Sequence, residues 1–387
     1  MTEPAELGVY VHWPYCARIC PYCDFNVVRD RGDGAAQAAL ARAILVDLAA
    51  QAERLGRRRL VSIFFGGGTP SLMAPESVAE IIAAARTLFD AAPDLEVTLE
   101  ANPTDAEAGR FAALADAGVN RLSLGVQSLD NAALAFLGRN HGAAEARRAA
   151  GIAARAFPRL SLDLIYARPG QSLAAWRAEL AEALALGPEH VSAYQLTIEA
   201  GTAFDRAVVR GRWAPPGDDL AAGLFETTQD VLGAAGFEAY EVSNHARGAA
   251  ARSRHNLIYW RGGDYLGVGP GAHGRITDPD GARWATLTPA RIGDYVARVT
   301  TTGCGLAERT WLTAREAAQE RLLMGLRTVE GVARAELAAL ALDPSVIGAL
   351  AEAGLLATPD ERLVATPTGR RVLDRVVLEL ANGADAG

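Results

Sequence analysis

The chain contains no lysine, so every one of its 38 basic side chains is an arginine. Acidic residues number 46 and give the protein a formal net charge of −8. An acidic surface repels a phosphate backbone, and we therefore expect no nucleic-acid partner. No apolar run reaches the roughly 18 residues that a membrane-spanning helix requires, so we also expect no membrane insertion.

Cysteine is scarce as well, with only four in 387 residues. So few cysteines in so long a chain argue against a disulfide framework and favour a reducing compartment. The N-terminal residues have neither the basic region nor the apolar run of a signal peptide, and we predict a cytoplasmic location. Cys304 stands alone and is interpreted as a bystander thiol, whereas Cys16, Cys20 and Cys23 share one short loop.

Short β-branched or aromatic segments alternate with longer alanine-rich segments in the first part of the chain. The predicted strands span residues 7–13, 60–65, 96–101, 121–127, 161–167 and 190–197. The predicted helices span residues 35–55, 76–90, 104–117, 143–156, 173–186 and 218–235. Strands separated by helices pair in parallel through crossover connections. Six such units are too few for a closed eight-stranded barrel, so we predict an α/β fold with a partial (β/α)6 barrel of the TIM type.

Polar or glycine-rich residues lie at the ends of the predicted strands or just after them, and the fifth strand carries Asp163 within it. In strand order they are the cysteine loop, Gly66-Gly67-Gly68-Thr69-Pro70, Glu100-Ala101-Asn102-Pro103, Gly125-Val126-Gln127-Ser128, Asp163, and Gln195 with Thr197. In a parallel barrel the functional site lies at the C-terminal ends of the strands. We therefore expect the chemistry of this protein at one rim of the barrel.

The regular alternation ends near residue 236, and we predict three domains: the barrel over residues 1–236, an added β layer over 237–306 and a winged-helix-like domain over 307–387. The added layer includes a predicted strand at 240–244 and the glycine-dense segment 262–274, and we expect it to close the open side of the barrel. The last domain is predicted from helices at 314–326, 334–340 and 344–353, a wing at 356–366 and a helix at 368–380. It has no basic recognition face, so we expect it to pack rather than to bind DNA.

The spacing Cys-x3-Cys-x2-Cys of the cysteine loop suits neither a disulfide pair nor a structural zinc site, which takes four protein ligands. Three thiolates can instead hold a 4Fe–4S cluster whose fourth iron has no protein ligand. The alternative is a degenerate zinc loop with His12 as the fourth ligand.

The cysteine loop resembles the signature of the radical S-adenosylmethionine (SAM) superfamily, and Tyr22, just before the third cysteine, also fits that pattern. The resemblance implies that Cys16, Cys20 and Cys23 hold the cluster and that SAM chelates its free iron. It further implies a set of SAM contacts: Tyr10, Gly67, Gly68, Thr69, Glu100, Gln127, Arg139, Asp163 and Thr197. Each of these residues taken alone could merely form a turn, end a strand or cap a helix.

Further motifs are similar to the oxygen-independent coproporphyrinogen III oxidase branch of the superfamily. They are Tyr10-Val-His-Trp-Pro-Tyr-Cys, Phe-Gly-Gly-Gly-Thr-Pro-Ser, Glu-Ala-Asn-Pro, Leu-Gly-Val-Gln-Ser and Tyr-Gln-Leu-Thr-Ile-Glu. Two departures favour the HemW-type haem chaperones within that branch. The oxidase has a fourth cysteine where this chain has Phe25, and it has an extension before the cluster strand, whereas here Tyr10 is close to the start. Arg168 is a further departure, at a position where relatives have a small or apolar residue, and it bears on the mouth of the pocket.

The segment His255-Asn256-Leu257-Ile258-Tyr259-Trp260 resembles the His-Asn-x-x-Tyr-Trp element of the HemW family, which implies haem binding. Neutral imidazole is a common axial ligand of haem iron, and Tyr259 and Trp260 can cover a porphyrin face. The alternative is a core histidine beside two packing aromatics. His273 is a second candidate, either as a haem ligand or as a contact at the edge of SAM.

The leading hypothesis is a haem chaperone that passes haem to an acceptor protein such as a membrane-bound haem enzyme, with SAM either cleaved or only gating the site. The alternative is an oxygen-independent coproporphyrinogen III oxidase, in which an electron donor and the cluster cleave SAM. A third hypothesis is a zinc-stabilised binding protein.

Overall fold

The strands of the barrel form one twelve-stranded mixed sheet in the computed structural model, which describes residues 4–383. The outermost residues of the first and third predicted domains, 1–3 and 384–387, lie outside the described residues. In chain order the strands of this sheet are β1 (Glu6–Trp13), β4 (Arg59–Gly67), β5 (Asp90–Ala101), β6 (Arg121–Gln127), β7 (Arg159–Tyr166), β8 (His190–Gln195), β9 (Glu238–Ala239), β10 (Asn244–Ala246), β11 (Asp264–Val268), β12 (His273–Thr277), β13 (Arg283–Leu287) and β14 (Glu308–Leu312). A small parallel pair, β2 (Tyr15–Cys16) and β3 (Val28–Arg29), lies outside it.

The six predicted strands β1 and β4–β8 are confirmed and pair in parallel in the order of the chain. Strand β11 adds a seventh parallel strand beside β1, with Tyr10 opposite Gly267. These strands are buried on both faces, as their near-continuous apolar sequences require. Their C-terminal ends therefore meet at one rim, where the predicted site residues follow.

Helices cover the outer face of the parallel strands. Those of the barrel are α1 (Gly34–Leu55), α2 (Pro75–Leu88), α3 (Asp105–Ala108), α4 (Phe111–Asp116), α5 (Asn131–Phe136), α6 (Ala143–Ala156), α7 (Leu173–Ala185), α8 (Ala203–Val209) and α9 (Asp218–Ala234). The single helix predicted for 104–117 is two helices, because the chain turns at Gly109 and Arg110. Helices α5 and α8 were not predicted, and their six and seven residues are too short to show a clear period.

The segment 237–306 supplies strands to both edges of the barrel sheet, with β9 and β10 beside β8 and β11–β13 beside β1. Helices α10 (Arg254–Trp260) and α11 (Ile292–Thr302) belong to the same segment. The strand predicted at 240–244 is wrong: β10 begins only at Asn244. The Glu241 carboxylate accepts hydrogen bonds from the Ser243 amide and the Asn244 side chain, which turns the chain there.

The C-terminal elements surround a separate apolar core. They are α12 (Ala314–Gly325), β15 (Val332–Ala333), α13 (Pro344–Glu352), β16 (Leu356–Ala357), β17 (Arg362–Ala365), α14 (Pro367–Arg371) and α15 (Leu373–Gly383), with a 3-10 helix at Arg334–Leu340. The three short strands pair in the order β15-β17-β16, as a wing does. Leu322, Leu363 and Val376 are among the residues of this core.

Several contacts join this C-terminal unit to the rest of the chain. Arg275 on β12 forms an ion pair with Glu320 on α12, at 2.7 Å, and Arg321 donates to the backbone carbonyl of Trp260, at 2.9 Å. Over residues 4–383 no helix combines the length and apolar character that crossing a bilayer takes.

Candidate functional site

Two adjoining cavities open at the C-terminal rim of the parallel strands. The smaller, which we call the cluster cavity, has a volume of about 260 Å³ and is lined by all three cysteines of the loop. The larger, which we call the mouth cavity, has a volume of about 810 Å³ and lies between the rim, strand β12 and helix α12. Phe25, Gly67 and Glu100 line both cavities, so the two share a wall.

The cysteine loop is held closed by backbone pairing at its base. Strands β2 and β3 pair in parallel, and the amide of Asp30 donates to the carbonyl of Cys16 at 2.8 Å. Cys16 is buried, and Cys20 and Cys23 are half-buried. Burial raises the pKa of the Cys16 thiol to about 11, although Thr69 donates a hydrogen bond to its sulfur at 3.5 Å. The loop therefore brings three thiols to one cavity wall, which is the donor set that a cluster with one open iron requires.

Arg139 lies against the cluster cavity, where its guanidinium reaches the cysteine loop. Its Nη1 donates to the Cys20 sulfur at 3.1 Å and to the Tyr22 hydroxyl at 3.4 Å. Its Nη2 donates to the carbonyl of Gly125 at 3.1 Å and to the side chain of Asn102. A fixed positive charge thus lies beside the thiols, although the sequence places Arg139 in a loop rather than at a strand end.

The glycines after β4 fit against the cysteine loop. The amide of Gly68 donates to the carbonyl of Trp13 at 2.7 Å, and a Cβ at Gly68 would lie 2.7 Å from the carbonyl oxygen of Tyr15. Gly67 has φ of +106°, a left-handed conformation that glycine tolerates. Gly68 is therefore required by close backbone approach and Gly67 by its backbone conformation, and Gly67, Gly68 and Thr69 all line the cluster cavity.

Glu100 and Asp163 bring two carboxyl groups into the cluster cavity. Desolvation, reinforced by the nearby Asp163, raises the pKa of Glu100 to about 8. Desolvation also raises the pKa of Asp163, which accepts hydrogen bonds from Ser123 at 2.9 Å and Ser161 at 3.3 Å. An enclosed carboxyl group is costly unless it has partners, and a ligand with hydroxyl donors would supply them to Glu100.

Gln127 also lines the cluster cavity, and it has an unusual backbone. Its φ of +62° is left-handed, and its Oε1 is buried without a hydrogen-bond partner among the described residues. An unsatisfied buried acceptor in a cavity wall points to a ligand with a donor. The empty acceptor, the enclosed Glu100 and the close-packed glycines all fit a polar ligand of the kind that SAM is.

The structure places two of the predicted residues, Thr197 and Arg168, away from these cavities. Thr197 is exposed and lines neither cavity, because β8 ends at Gln195 and the chain has left the rim by then; Tyr194 lines the cluster cavity instead. Arg168 does not reach the mouth of either cavity. It is buried in an ion pair with Glu179 on α7 and a hydrogen bond to Ser128.

Tyr10, His12 and His273 line the mouth cavity together with Tyr259 and Trp260. The Tyr10 hydroxyl lies 3.0 Å from His12 Nδ1, and His12 Nε2 lies 2.8 Å from the carbonyl of Asn26. Because a carbonyl can only accept, Nε2 carries the proton and Nδ1 accepts from Tyr10. Both nitrogens of His12 are thus occupied, which removes the fourth ligand that a zinc loop needs.

His255 lies beneath the rim and lines neither cavity. Its Nδ1 lies 2.8 Å from the Ser62 hydroxyl and its Nε2 lies 2.6 Å from the Tyr259 hydroxyl. Desolvation lowers the pKa of His255 to about 3, so the imidazole is neutral. Its placement differs from the predicted one, because helix α10 turns the ring into the core, where no ring nitrogen is free to bind iron.

Sequence reasoning missed several residues of the site. Asn102 donates to Thr69 at 3.0 Å, and Asn26 donates to the carbonyls of Pro270 and Ala290, each at 2.9 Å, which ties the cysteine loop to the glycine-dense segment. Asn102 follows Glu100 in Glu-Ala-Asn-Pro, so its position after a strand was a usable signal. Asn26 carried none, because its partners lie more than 200 residues away.

Family models match two parts of the chain. Residues 10–183 match the model described as "Radical SAM superfamily", and residues 312–372 match the model described as "HemN C-terminal domain". The structure is similar to coproporphyrinogen III oxidase (HemN) from Escherichia coli, with a TM-score of 0.81, 20% sequence identity and coverage of 98% of this chain and 90% of that one. At that identity the likeness shows the fold alone, and it supports the predicted radical SAM barrel with a C-terminal domain.

Relatives in sequence cover most of the chain. "Heme chaperone HemW" of Mycobacterium tuberculosis is 38% identical over 96% of this chain and 94% of its own length. The protein of the same name from Escherichia coli is 42% identical over 73% of each chain. "Radical S-adenosyl methionine domain-containing protein 1, mitochondrial" of Bos taurus is 44% identical over 84% of this chain and 74% of its own length. The chain therefore belongs to the HemW-type branch of the radical SAM superfamily.

Proposed function

We propose that this protein is a haem chaperone, which binds haem and passes it to an acceptor haem protein. The observation that carries the proposal is the near full-length similarity to a protein named as a haem chaperone, at 38% identity over 96% of the chain. The mouth cavity supports it, because its volume of about 810 Å³ lies in the range of pockets that enclose a large organic ligand.

The superfamily implies a 4Fe–4S cluster and SAM, and we propose which residues hold them here. Cys16, Cys20 and Cys23 would ligate three irons, and SAM would bind the fourth iron. When bound, such a cluster can supply an electron to the SAM sulfonium. The further SAM contacts are proposed to come from Tyr10, which lines the mouth cavity, and from residues that line the cluster cavity: Tyr22, Gly67, Gly68, Thr69, Glu100, Gln127, Arg139 and Asp163.

The residues of the chain have separable tasks in this scheme. Arg139 would hold the Cys20 sulfur and balance cluster charge, and Glu100 would accept hydrogen bonds from the ribose hydroxyls. Gln127 Oε1 would accept a hydrogen bond from SAM. We propose that SAM is exchangeable, because the cluster cavity opens at the rim and shares only the wall of Phe25, Gly67 and Glu100 with the mouth cavity.

Anaerobic incubation of the reconstituted protein separates the chaperone from the oxidase alternative. We expect the haem-loaded protein to transfer haem to an apo-haem acceptor, measured by the absorbance of the acceptor. With coproporphyrinogen III, SAM and a reductant in place of haem, we expect no protoporphyrinogen. Formation of protoporphyrinogen over many turnovers would contradict the chaperone assignment.

We further propose that the chaperone acts in the cytoplasm and that a membrane-bound haem enzyme is its acceptor. The cytoplasmic location is supported by the scarcity of cysteine and the four free thiols. Fractionation of the producing cells, with antibody detection of the protein and of a membrane marker, tests both parts. Co-purification of the protein with a haem-deficient membrane enzyme is the expected result for the acceptor.

A further inference from the structure

We propose that haem binds in the mouth cavity, with the imidazole of His273 as an iron ligand and the arginines of the cavity rim as partners of the haem propionates. This inference rests on the proposed function, and it names the position of the cargo within the fold.

The first argument is the availability of ring nitrogens. Two histidines line the mouth cavity, and the nitrogens of His12 are taken by Tyr10 and Asn26. His273, at the start of β12, is exposed and lines the cavity, and its ring makes no hydrogen bond to any described residue. A neutral imidazole with a free nitrogen is the form that binds iron. Burial and the nearby Arg275 lower the pKa of His273, which favours the neutral ring.

The second argument is the composition of the walls. Tyr10, Tyr259, Trp260 and Tyr265 present aromatic surface to the mouth cavity, and Phe25 lies at its boundary with the cluster cavity. A flat macrocycle is bound by such rings, which bury large apolar area and orient it. Thus the Tyr-Trp pair of the His-Asn-x-x-Tyr-Trp element contributes to the cavity, while its histidine positions Tyr259 from below through the 2.6 Å hydrogen bond.

The third argument is the charge at the rim. Arg275, Arg283 and Arg321 line the mouth cavity, and guanidinium groups pair with carboxylates in bidentate geometry. Arg275 and Arg321 are held by Glu320 and Glu336, at 2.7 and 2.8 Å.

Arg283 has the longest contacts of the three rim arginines. Its guanidinium lies 3.4 Å from Asp264, 3.2 Å from the hydroxyl of Thr277 and 3.3 Å from the carbonyl of Gly263. Because these contacts are long, Arg283 is the rim arginine that can reorient toward a propionate at the lowest cost in free energy. The structure thus offers haem two kinds of partner, an axial ligand on β12 for its iron and cations on the rim for its propionates.

The test is an anaerobic titration of the full-length protein, containing its cluster, with ferric protohaem, followed by Soret absorbance. We expect His273→Ala to lower haem affinity at least about tenfold and to shift the Soret band, and we expect added imidazole to restore the wild-type spectrum. In His255→Ala we expect a lower haem affinity, because Tyr259 loses the partner that positions it, but the wild-type Soret position and no response of the spectrum to imidazole. If His255→Ala does not fold, His255→Gln is used in its place, because glutamine keeps a donor and an acceptor for Ser62 and Tyr259.

The propionate partners are tested with protohaem dimethyl ester, which lacks the two negative charges. We expect the wild-type protein to bind the ester more weakly than protohaem, and we expect Arg283→Gln to reduce that preference. Equal affinity of the wild-type protein for the two probes would overturn the role of the arginines.

The outcomes separate the site from the function. If the wild-type protein binds haem but His273→Ala binds it with the same affinity and spectrum, His273 is not a ligand, while the proposed function stands. If His255→Ala alone loses the Soret band and responds to imidazole, the ligand is His255. A wild-type protein that takes up no haem overturns the proposed function and this site with it.

Discussion

The guanidinium of Arg139 donates a hydrogen bond to the sulfur of Cys20, with Nη1 and Sγ 3.1 Å apart, across 119 positions of sequence. The same group donates to Tyr22, so one arginine orients both the second cysteine and the aromatic residue before the third. Arg139 thereby connects the loop after β6 to the loop after β1. Hydrogen bonds to sulfur and nearby positive charge are two of the factors that set the potential of an iron–sulfur cluster.

Replacing Arg139 by glutamine removes that charge while keeping a donor. Loss of a cation beside the cluster favours its oxidised form, so we expect the reduction potential to decrease. A shift of about 1.4 kcal/mol corresponds to about 59 mV for a one-electron couple, and we expect a decrease of roughly that size. Redox titration monitored by electron paramagnetic resonance measures it, with Arg147→Gln, an exposed arginine paired with Glu182, as the control. An unchanged potential would show that Arg139 has no electrostatic effect on the cluster.

Gly68→Ala tests the close packing between the glycines and the cysteine loop. The new Cβ would lie 2.7 Å from the carbonyl oxygen of Tyr15 and 2.8 Å from that of Pro14, and backbone atoms cannot rotate away. Overpacking of this kind costs about 1 to 3 kcal/mol of the free energy of unfolding, and we expect SAM affinity to fall about tenfold or more.

Gly233→Ala is the matched control for that substitution. Gly233 lies in helix α9 with nothing within 4 Å of the added methyl group, and alanine there stabilises a helix by about 0.5 to 1 kcal/mol. Chemical denaturation and equilibrium dialysis with labelled SAM compare the two variants. Wild-type SAM binding by Gly68→Ala would be incompatible with the proposed position of SAM.

Glu100→Gln is expected to change the pH dependence of stability in the protein without cofactor. Desolvation and the nearby Asp163 raise the pKa of Glu100 from 4.5 to about 8 in the folded protein. Between these values the folded state holds a proton that the unfolded state releases, so stability falls as pH rises. The slope from one group is at most about 1.36 kcal/mol per pH unit.

The variant lacks this titration, so its free energy of unfolding should decrease less than that of the wild type between pH 5 and about 8. Denaturant unfolding at several pH values provides the measurement. Glu96→Gln is the control, because desolvation raises the pKa of Glu96 but the charges of Arg121 and Arg159 outweigh it and leave that pKa lowered. Parallel curves for wild type and Glu100→Gln would mean that Glu100 is ionised throughout this range.

His255→Ala tests the placement of that ring in the core. The substitution leaves the hydroxyls of Ser62 and Tyr259 without their partner and opens a cavity, which together cost about 2 to 4 kcal/mol of stability. Desolvation lowers the pKa of His255 from 6.5 to about 3 in the folded wild-type protein. Between these two pH values the unfolded state therefore binds more protons than the folded state. Stability is therefore lost as pH falls from 6.5, and the variant should show a shallower loss. A substitution that costs less than about 0.5 kcal/mol would indicate an exposed ring.

The sequence predicted the parallel core because each barrel strand is a continuous apolar run between helical segments, and polar residues after each run marked the rim. The seventh parallel strand, β11, could not be predicted, since its pairing with β1 sets Tyr10 opposite Gly267, which is far away in the sequence. For the same reason the sequence did not separate His273 from His255. Motif similarity favoured His255, whereas the hydrogen bonds that occupy its nitrogens exist only in the folded chain.

The central claim is that the three cysteines of the loop hold a 4Fe–4S cluster whose fourth iron binds SAM. Electron paramagnetic resonance of the reduced protein with and without SAM tests this claim most directly. After anaerobic reconstitution we predict about four irons and four sulfides per chain, a cluster signal that changes when SAM is added, and no cluster in Cys20→Ser. Cys304→Ser, which alters the thiol outside the loop, should retain the wild-type signal. A colourless protein that contains zinc, or a cluster whose signal is unchanged by saturating SAM, would contradict the account.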